Sequence, residues 1–140
     1  MTVTLRSPWR TAAQVAALLL AVARPLGAVP PLNLVGNFDG AYMRSGANTQ
    51  GTLRIEVEKQ HRRRLRVSVF ATDQPEYQGP GKLSKDNGTV TATTRATGRG
   101  NVPRFLITAT VGGGGTTLSG GYTIKARGRA DVAGTFSVAR

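Results

Sequence analysis

The chain has 140 residues and no cysteine, and its 19 lysines and arginines against 7 acidic residues give a formal net charge of +12. This length accommodates one domain, which can bury an adequate core without covalent staples. The lack of cysteine excludes disulfides, thiol catalysis, cysteine-ligated zinc and iron–sulfur clusters. We predict no metal site and no cofactor.

The first part of the chain predicts a secretory signal peptide. A positively charged start is followed by an apolar run at residues 12–23. Ala21-Val22-Ala23 fits the small-x-small cleavage pattern, with an alternative end at Ala28. The run is shorter than the roughly 20 apolar residues of a membrane-spanning helix. We therefore expect a signal helix at residues 1–23, export to the periplasm or the extracellular space, and no transmembrane segment in the mature chain. The alternative is an amphipathic N-terminal extension.

Residues 24–35 form the next segment, and their three prolines predict an extended leader. Seven turn-like interruptions then divide residues 36–140 into eight short segments. The predicted strands begin near Gly36, Thr52, Leu65, Tyr77, Thr89, Phe105, Leu118 and Gly134.

The second segment shows the clearest strand pattern. Between Thr52 and Lys59, apolar and charged residues alternate with the period of two that a half-buried strand requires. The fourth segment, 77–85, is the weakest, since two glycines and Pro80 favour an edge, a bulge or a late start near Lys82. Asn87-Gly88 predicts a type I′ hairpin turn.

These segments predict an all-β domain with no helix outside the signal. Eight sequential strands joined by short turns favour an eight-stranded antiparallel up-and-down meander barrel. The alternative is a two-sheet β-sandwich. The barrel is preferred because closure removes exposed strand edges and leaves one polar face per strand for solvent.

The predicted inner face mixes large and small side chains. Its rings are Tyr42, Phe105, Tyr122 and Phe136, and several glycines and alanines lie on the same face. An eight-stranded barrel is just wide enough to be filled by side chains or to hold one small ligand. Either the small residues make room for the rings, or a pocket lies beneath one rim. The first functional hypothesis is a non-catalytic exported barrel that binds a small or apolar ligand through these rings.

Two short motifs resemble the calycin group of secreted eight-stranded barrels. Gly36-Asn37-Phe38 is similar to the Gly-x-Trp motif of lipocalins, with Phe38 in place of tryptophan. Gly134-Thr135-Phe136 resembles the closing strand of avidin-type barrels. The resemblance implies a calycin-like barrel over about residues 34–140, and it is limited to architecture.

The densest charge cluster lies at the hairpin between the second and third strands. Its cations are Lys59, Arg62, Arg63, Arg64 and Arg66. They create a positive potential that can attract an anionic polymer or the cell envelope, which gives a second hypothesis of a polyanion-binding module. The alternative is a solvated basic surface.

Further cations fall in the 95–104 and 125–129 segments. Alternate connections of a meander share an end, so basic charge is expected at both ends of the barrel. This distribution, with few aromatic platforms beside the cations, argues against a specific nucleic-acid site.

Catalysis is the third hypothesis. It requires Asp39, Asp131, Arg104 or tyrosine side chains to converge in one cavity, as a carboxylate pair could perform acid–base work. The only histidine, His61, lies within the arginine run, where we expect an exposed turn residue.

Overall fold

The computed structural model describes residues 29–140, and this part of the chain contains eight strands and no helix. The signal peptide predicted at residues 1–23, its alternative end at Ala28 and the start of the leader lie outside the described residues. The strands are β1 (Gly36–Arg44), β2 (Gln50–His61), β3 (Arg64–Ala71), β4 (Tyr77–Leu83), β5 (Thr89–Ala96), β6 (Arg104–Gly112), β7 (Thr117–Lys125) and β8 (Val132–Ala139).

The strands form one closed antiparallel barrel in chain order. Each strand pairs with the next, and β1 pairs with both β2 and β8, from Asp39 opposite Ala139 to Arg44 opposite Gly134. This last pairing closes the sheet and leaves no free edge. The up-and-down barrel predicted from the sequence is confirmed, and the sandwich alternative is wrong.

Side chains alternate between a buried interior and an exposed outer face along the strands. On β5, for example, Val90, Ala92, Thr94 and Ala96 are buried, and the residues that alternate with them, Thr91, Thr93 and Arg95, are exposed. The one polar member of this set, Thr94, is satisfied because its hydroxyl donates to the Phe105 carbonyl at 2.9 Å. The interior is therefore an apolar core whose buried polar groups keep their partners.

The seven connections divide between the two ends of the barrel. One end, called the open end below, carries the odd-numbered connections 45–49, 72–76, 97–103 and 126–131. The opposite end, called the closed end, carries the even-numbered connections 62–63, 84–88 and 113–116. The expected sharing of an end by alternate connections is confirmed.

Residues 31–35, the last part of the leader, cover the closed end. Leu34 is completely buried and Leu32 packs against the core. The Arg140 guanidinium donates to the carbonyls of Asn33 (2.8 Å) and Val35 (2.9 Å), which joins the last residue to the leader. The predicted extended leader thus acts, over residues 31–35, as a plug whose backbone groups are held by side chains.

A β-bulge in β2 supplies another side chain for this plug. The register with β3 shifts between Val57 and Lys59, so Gln60 pairs with Leu65 on the inner face. The Gln60 side chain accepts from the Leu34 amide at 2.7 Å and donates to the Leu32 carbonyl at 2.6 Å. Without the extra residue, strict alternation would place Gln60 outside and Lys59 inside.

Three local expectations need correction. β2 continues to His61, two residues beyond the alternation predicted to Lys59, and Arg62 in the short turn that follows adopts a positive φ of 57°. In the next hairpin only Asn87 has positive φ (62°), so the turn is not type I′. There, the Ser84 hydroxyl accepts from the Gly88 and Thr89 amides, and this network competes with the two-residue turn. Finally, β4 begins at the predicted Tyr77 and pairs on both sides, so the alternatives of an edge strand and of a late start near Lys82 are wrong.

Candidate ligand cavity and charged surfaces

A cavity of about 360 Å³ opens at the open end of the barrel. Its wall is mainly apolar, and no acidic residue of the described part of the chain, 29–140, lines it. The closed half of the interior is filled by buried side chains such as Leu65, Val67, Leu83 and Leu118. Within residues 29–140, residues 31–35 cover the closed end and the cavity opens at the other end, so in this part of the chain access to the interior is from the open end.

Four aromatic rings form the floor and sides of this cavity. The Phe105 ring stacks on Tyr122, with centroids 5.2 Å apart and planes 11° apart. Tyr77 lies 5.2 Å from Phe105 on one side, and Tyr42 meets Tyr122 edge to face at 5.8 Å on the other. Such contacts add stabilisation beyond burial and restrict ring motion. The cavity therefore has a fixed aromatic surface.

Glycines opposite two of these rings provide the space they occupy. Gly51 pairs with Tyr42, and Gly134 pairs with Tyr122. A Cβ added at Gly51 would lie 2.5 Å from Tyr42 Cε1, and one at Gly134 would lie 2.2 Å from the Met43 carbonyl oxygen and 2.5 Å from the Tyr122 hydroxyl oxygen. The expectation that small inner-face residues make room for the rings holds at Gly134, and Gly51 has the same role although the sequence did not predict it on the inner face. The space that these glycines leave for the rings and the cavity are therefore both present in the barrel.

The tyrosines in the cavity are partly desolvated. Burial raises the pKa of Tyr77 above its ordinary value. Burial also raises the pKa of Tyr122, and nearby Tyr42 acts in the same direction, whereas the positive charge of Arg44 opposes the rise. The Tyr77 and Tyr122 phenols therefore keep their protons to higher pH than usual, and the Tyr77 hydroxyl donates to the Gln74 side chain at 3.1 Å.

Two cations lie at the margin of the cavity. Arg44, at the end of β1, and Arg129, in the β7–β8 connection, both line it and are both exposed. No carboxylate within residues 29–140 forms an ion pair with either guanidinium. The cavity thus combines an apolar floor with a positive rim.

Three of the four rings predicted to bind ligand line this cavity. They are Tyr42, Phe105 and Tyr122, whereas Phe136 is buried opposite Tyr42 and Gly120 and does not reach the cavity. The sequence reasoning missed Tyr77, because the glycines and Pro80 after it weakened the strand prediction. Tyr77, Gly79 and Gly81 stand at every second position of β4, and this alternation was the signal that could have placed Tyr77 on the inner face.

The predicted polyanion-binding residues do not act as one free cluster. The Arg63 guanidinium donates to the Ser84 carbonyl and, at 2.9 Å, to the Asn87 side chain, which ties two closed-end turns together. Arg66 lies 3.4 Å from the Glu58 carboxylate. Lys59, Arg62 and Arg64 are exposed. The positive charges of Arg63 and Arg66 are therefore engaged by other groups of the barrel.

The side chains required for catalysis do not converge. Asp39 is on the outer face, where Arg54 donates to it at 2.6 Å. Asp131 lies in an open-end connection, 4.0 Å from Lys125, and Arg104 points outward. Although β1 and β8 are neighbours, Asp39 pairs near the closed end of β8 and Asp131 precedes its open end.

Two further properties concern residues 29–140. No three histidine or carboxylate side chains in this part of the chain come together in a way that could hold a metal ion. No helix long and apolar enough to cross a bilayer occurs there.

The fold and the cavity define a class, the eight-stranded closed antiparallel barrels with one accessible end. This architecture is consistent with that of calycins. No family model matches the chain, and neither a curated protein nor a solved structure shows significant similarity to it.

Proposed function

We propose that the protein is a non-catalytic, exported, calycin-like barrel that holds a small, largely apolar ligand in the open-end cavity. The observation that supports this most is the accessible, ring-lined cavity of about 360 Å³. Small-molecule sites are concave, mostly apolar and about 300–1,000 Å³ in volume. The cavity lies at the lower end of that range, which favours a compact ligand.

The positive rim favours a ligand with an anionic group at one end. An apolar body packs against Phe105 and Tyr122, while Arg44 and Arg129 attract a carboxylate or sulfonate at the mouth. A guanidinium binds such a planar or tetrahedral anion through several donors. The absence of acidic side chains from the cavity lining removes a competing partner for those arginines.

The proposal of export depends on the N-terminal pattern of a charged start, an apolar run and a small-residue cleavage site. Expression in a bacterial host followed by cell fractionation tests it directly. We expect protein in the exported fraction to begin at residue 24 or 29. Uncleaved protein that stays in the cytosol would contradict this part of the proposal.

Binding can be tested with a matched pair of fluorescent probes. Anilinonaphthalene sulfonate carries an anionic group, and phenylnaphthylamine has the same aromatic body without it. We expect both probes to bind the full-length protein with enhanced emission. Arg44→Gln should weaken binding of the sulfonate and leave binding of the neutral probe nearly unchanged, because only the former uses the rim charge.

A blocking variant separates cavity binding from binding elsewhere. Ala71 lines the cavity and its partner Leu53 is buried, whereas Ala133 on β8 is exposed on the outer face. Ala71→Phe should abolish binding of the neutral probe, and Ala133→Phe should not. Equal binding by both variants, with the barrel intact by circular dichroism, would overturn the proposed site.

A further inference from the structure

A row of three cations crosses the outer face of the barrel near its open end. Arg95 on β5 pairs directly with Arg104 on β6, and Arg104 pairs directly with Lys125 on β7. All three residues are exposed, and their neighbours Thr94 and Phe105 point inward. The three side chains therefore leave the same face of the sheet from adjacent strands.

This arrangement is unfavourable for an isolated barrel. Direct cross-strand partners have Cβ atoms about 4.5–5.5 Å apart, and like charges at that distance destabilise a sheet. Elsewhere on the outer face, Arg54 is paired with Asp39 and Arg66 with Glu58.

The positive charges of this row are not neutralised by ion pairs to the same extent. Among residues 29–140, no carboxylate comes within ion-pair distance of Arg95 or Arg104. Lys125 has only the 4.0 Å contact with Asp131, and both of these side chains are more than half exposed. A bound anion would supply the negative charge that the row is missing.

The row also lies in a depression of the surface. A cleft of about 350 Å³ contains the three cations and is bounded by Asn101 and Val102 on one side and by Arg127 on the other. Arg127 adds a fourth positive charge from the β7–β8 connection. A phosphate or sulfate group is small enough for this cleft, and it has enough oxygens to accept from several cations simultaneously.

We propose that the cleft formed by Arg95, Arg104, Lys125 and Arg127 binds a multiply charged oxyanion, a phosphate or sulfate group. Two guanidinium groups beside an ammonium group suit such an anion, since arginine presents paired donors and lysine a point charge. The site lies on the outer face, so this inference is independent of the ligand proposed for the barrel interior. It also differs from the 59–66 hairpin, where Glu58 and the Ser84–Asn87 loop engage part of the charge.

Calorimetric titration of the full-length protein with pyrophosphate tests the site. Arg104→Gln removes the central cation of the row, and Lys82→Gln is a matched control because Lys82 is also exposed on a strand directly opposite another cation, Arg64. We expect about a tenfold loss of affinity in the first variant and less than about a threefold loss in the second. Equal losses, or no saturable binding by the unaltered protein, would overturn the proposal.

Thermal unfolding at low ionic strength provides a second readout. Without added anion, Arg104→Gln should raise the melting temperature, because it relieves repulsion from both neighbours. With pyrophosphate, the unaltered protein should gain more than the variant, since a ligand that binds the folded state stabilises it. A lower melting temperature for the variant without anion would contradict the role assigned to the row.

A third arm distinguishes the source of the oxyanion. Vesicles of phosphatidylglycerol are compared with vesicles of phosphatidylcholine for retention of the protein and of Arg104→Gln. Retention on the anionic vesicles that depends on Arg104 identifies a membrane phosphate, whereas Arg104-dependent binding of pyrophosphate alone identifies a soluble phosphate. Retention that does not depend on Arg104, together with no binding of pyrophosphate, would overturn the site.

Discussion

The phenol ring of Tyr42 lies over its direct cross-strand partner, Gly51, in the space that a side chain at position 51 would fill. A Cβ there would be 2.7 Å from the Tyr42 hydroxyl oxygen, well inside contact distance. Tyr122 and Gly134 repeat the relationship between β7 and β8. Rings placed over strand glycines cover exposed backbone and fix the register. In this barrel they also set the shape of the cavity.

Gly51→Ala should therefore destabilise the barrel through Tyr42. We expect a loss of about 1–3 kcal/mol in the free energy of unfolding, the usual cost of overpacking, measured by urea denaturation. The nearest atoms to the added methyl group all belong to the Tyr42 ring. In a Tyr42→Ala background the same substitution should cost little, which a double-mutant cycle would show.

The control for this prediction is Gly121→Ala. The nearest atom to a Cβ at Gly121 is the Gly134 carbonyl oxygen at 3.5 Å, which is ordinary contact. This variant should be neutral or slightly stabilising, because alanine restricts the unfolded chain. If the Gly51→Ala cost persisted without the Tyr42 ring, the ring would not be its cause.

The leader plug depends on Gln60. In Gln60→Leu, the buried Leu34 amide loses its acceptor and the Leu32 carbonyl loses its donor. We expect a cost of about 1–3 kcal/mol, because a buried backbone group is left without a partner. Native-state hydrogen exchange at the Leu34 amide should accelerate more than exchange in β6.

His61→Leu is the matched control for the plug, since His61 is the adjacent residue and is exposed. It should leave the protection of the Leu34 amide unchanged. An equally protected Leu34 amide in Gln60→Leu would show that the plug is held by burial of Leu34 alone.

Stability should fall at alkaline pH through the cavity tyrosines. Burial raises the pKa of Tyr77 and of Tyr122 above the ordinary value of 10.0, so the folded state retains their protons more strongly than the unfolded state. The resulting stabilisation is present below pH 10 and is lost as the pH rises through the higher folded-state values. Tyrosinate absorbance and unfolding measured across this range would test the effect.

Tyr122→Phe should remove one of the late-titrating groups and reduce the loss of stability above pH 10. Binding of the neutral probe should delay ionisation further, because it displaces water from the phenols. Titration of all the tyrosines at the ordinary value in the folded protein would contradict the desolvated environment.

Much of the fold could be predicted from local pattern. The alternation in β2, from Leu53 through Val57, and the proline and glycine interruptions indicated strands and their order. Three of the cavity rings followed from the same alternation. Tyr77 did not, because strand propensity is weak around Pro80, and pairing with both β3 and β5 overrides that propensity. The alternation placed Phe136 on the inner face correctly. How far its ring lies from the open end depends on the register of β8 with β1 and β7, which the alternation does not give.

The sequence by itself determined the all-β class, the meander order and the separation of apolar from charged faces. The reason is that successive side chains of a strand point to opposite faces, so the pattern can be recognised from neighbouring residues alone. Only the tertiary structure decided which distant residues meet. The bulge after Val57 turned Gln60 inward, and the register of three strands brought Arg95, Arg104 and Lys125 together. Packing also left the open end hollow while the leader filled the other, since the volume enclosed by a barrel depends on all of its strands simultaneously.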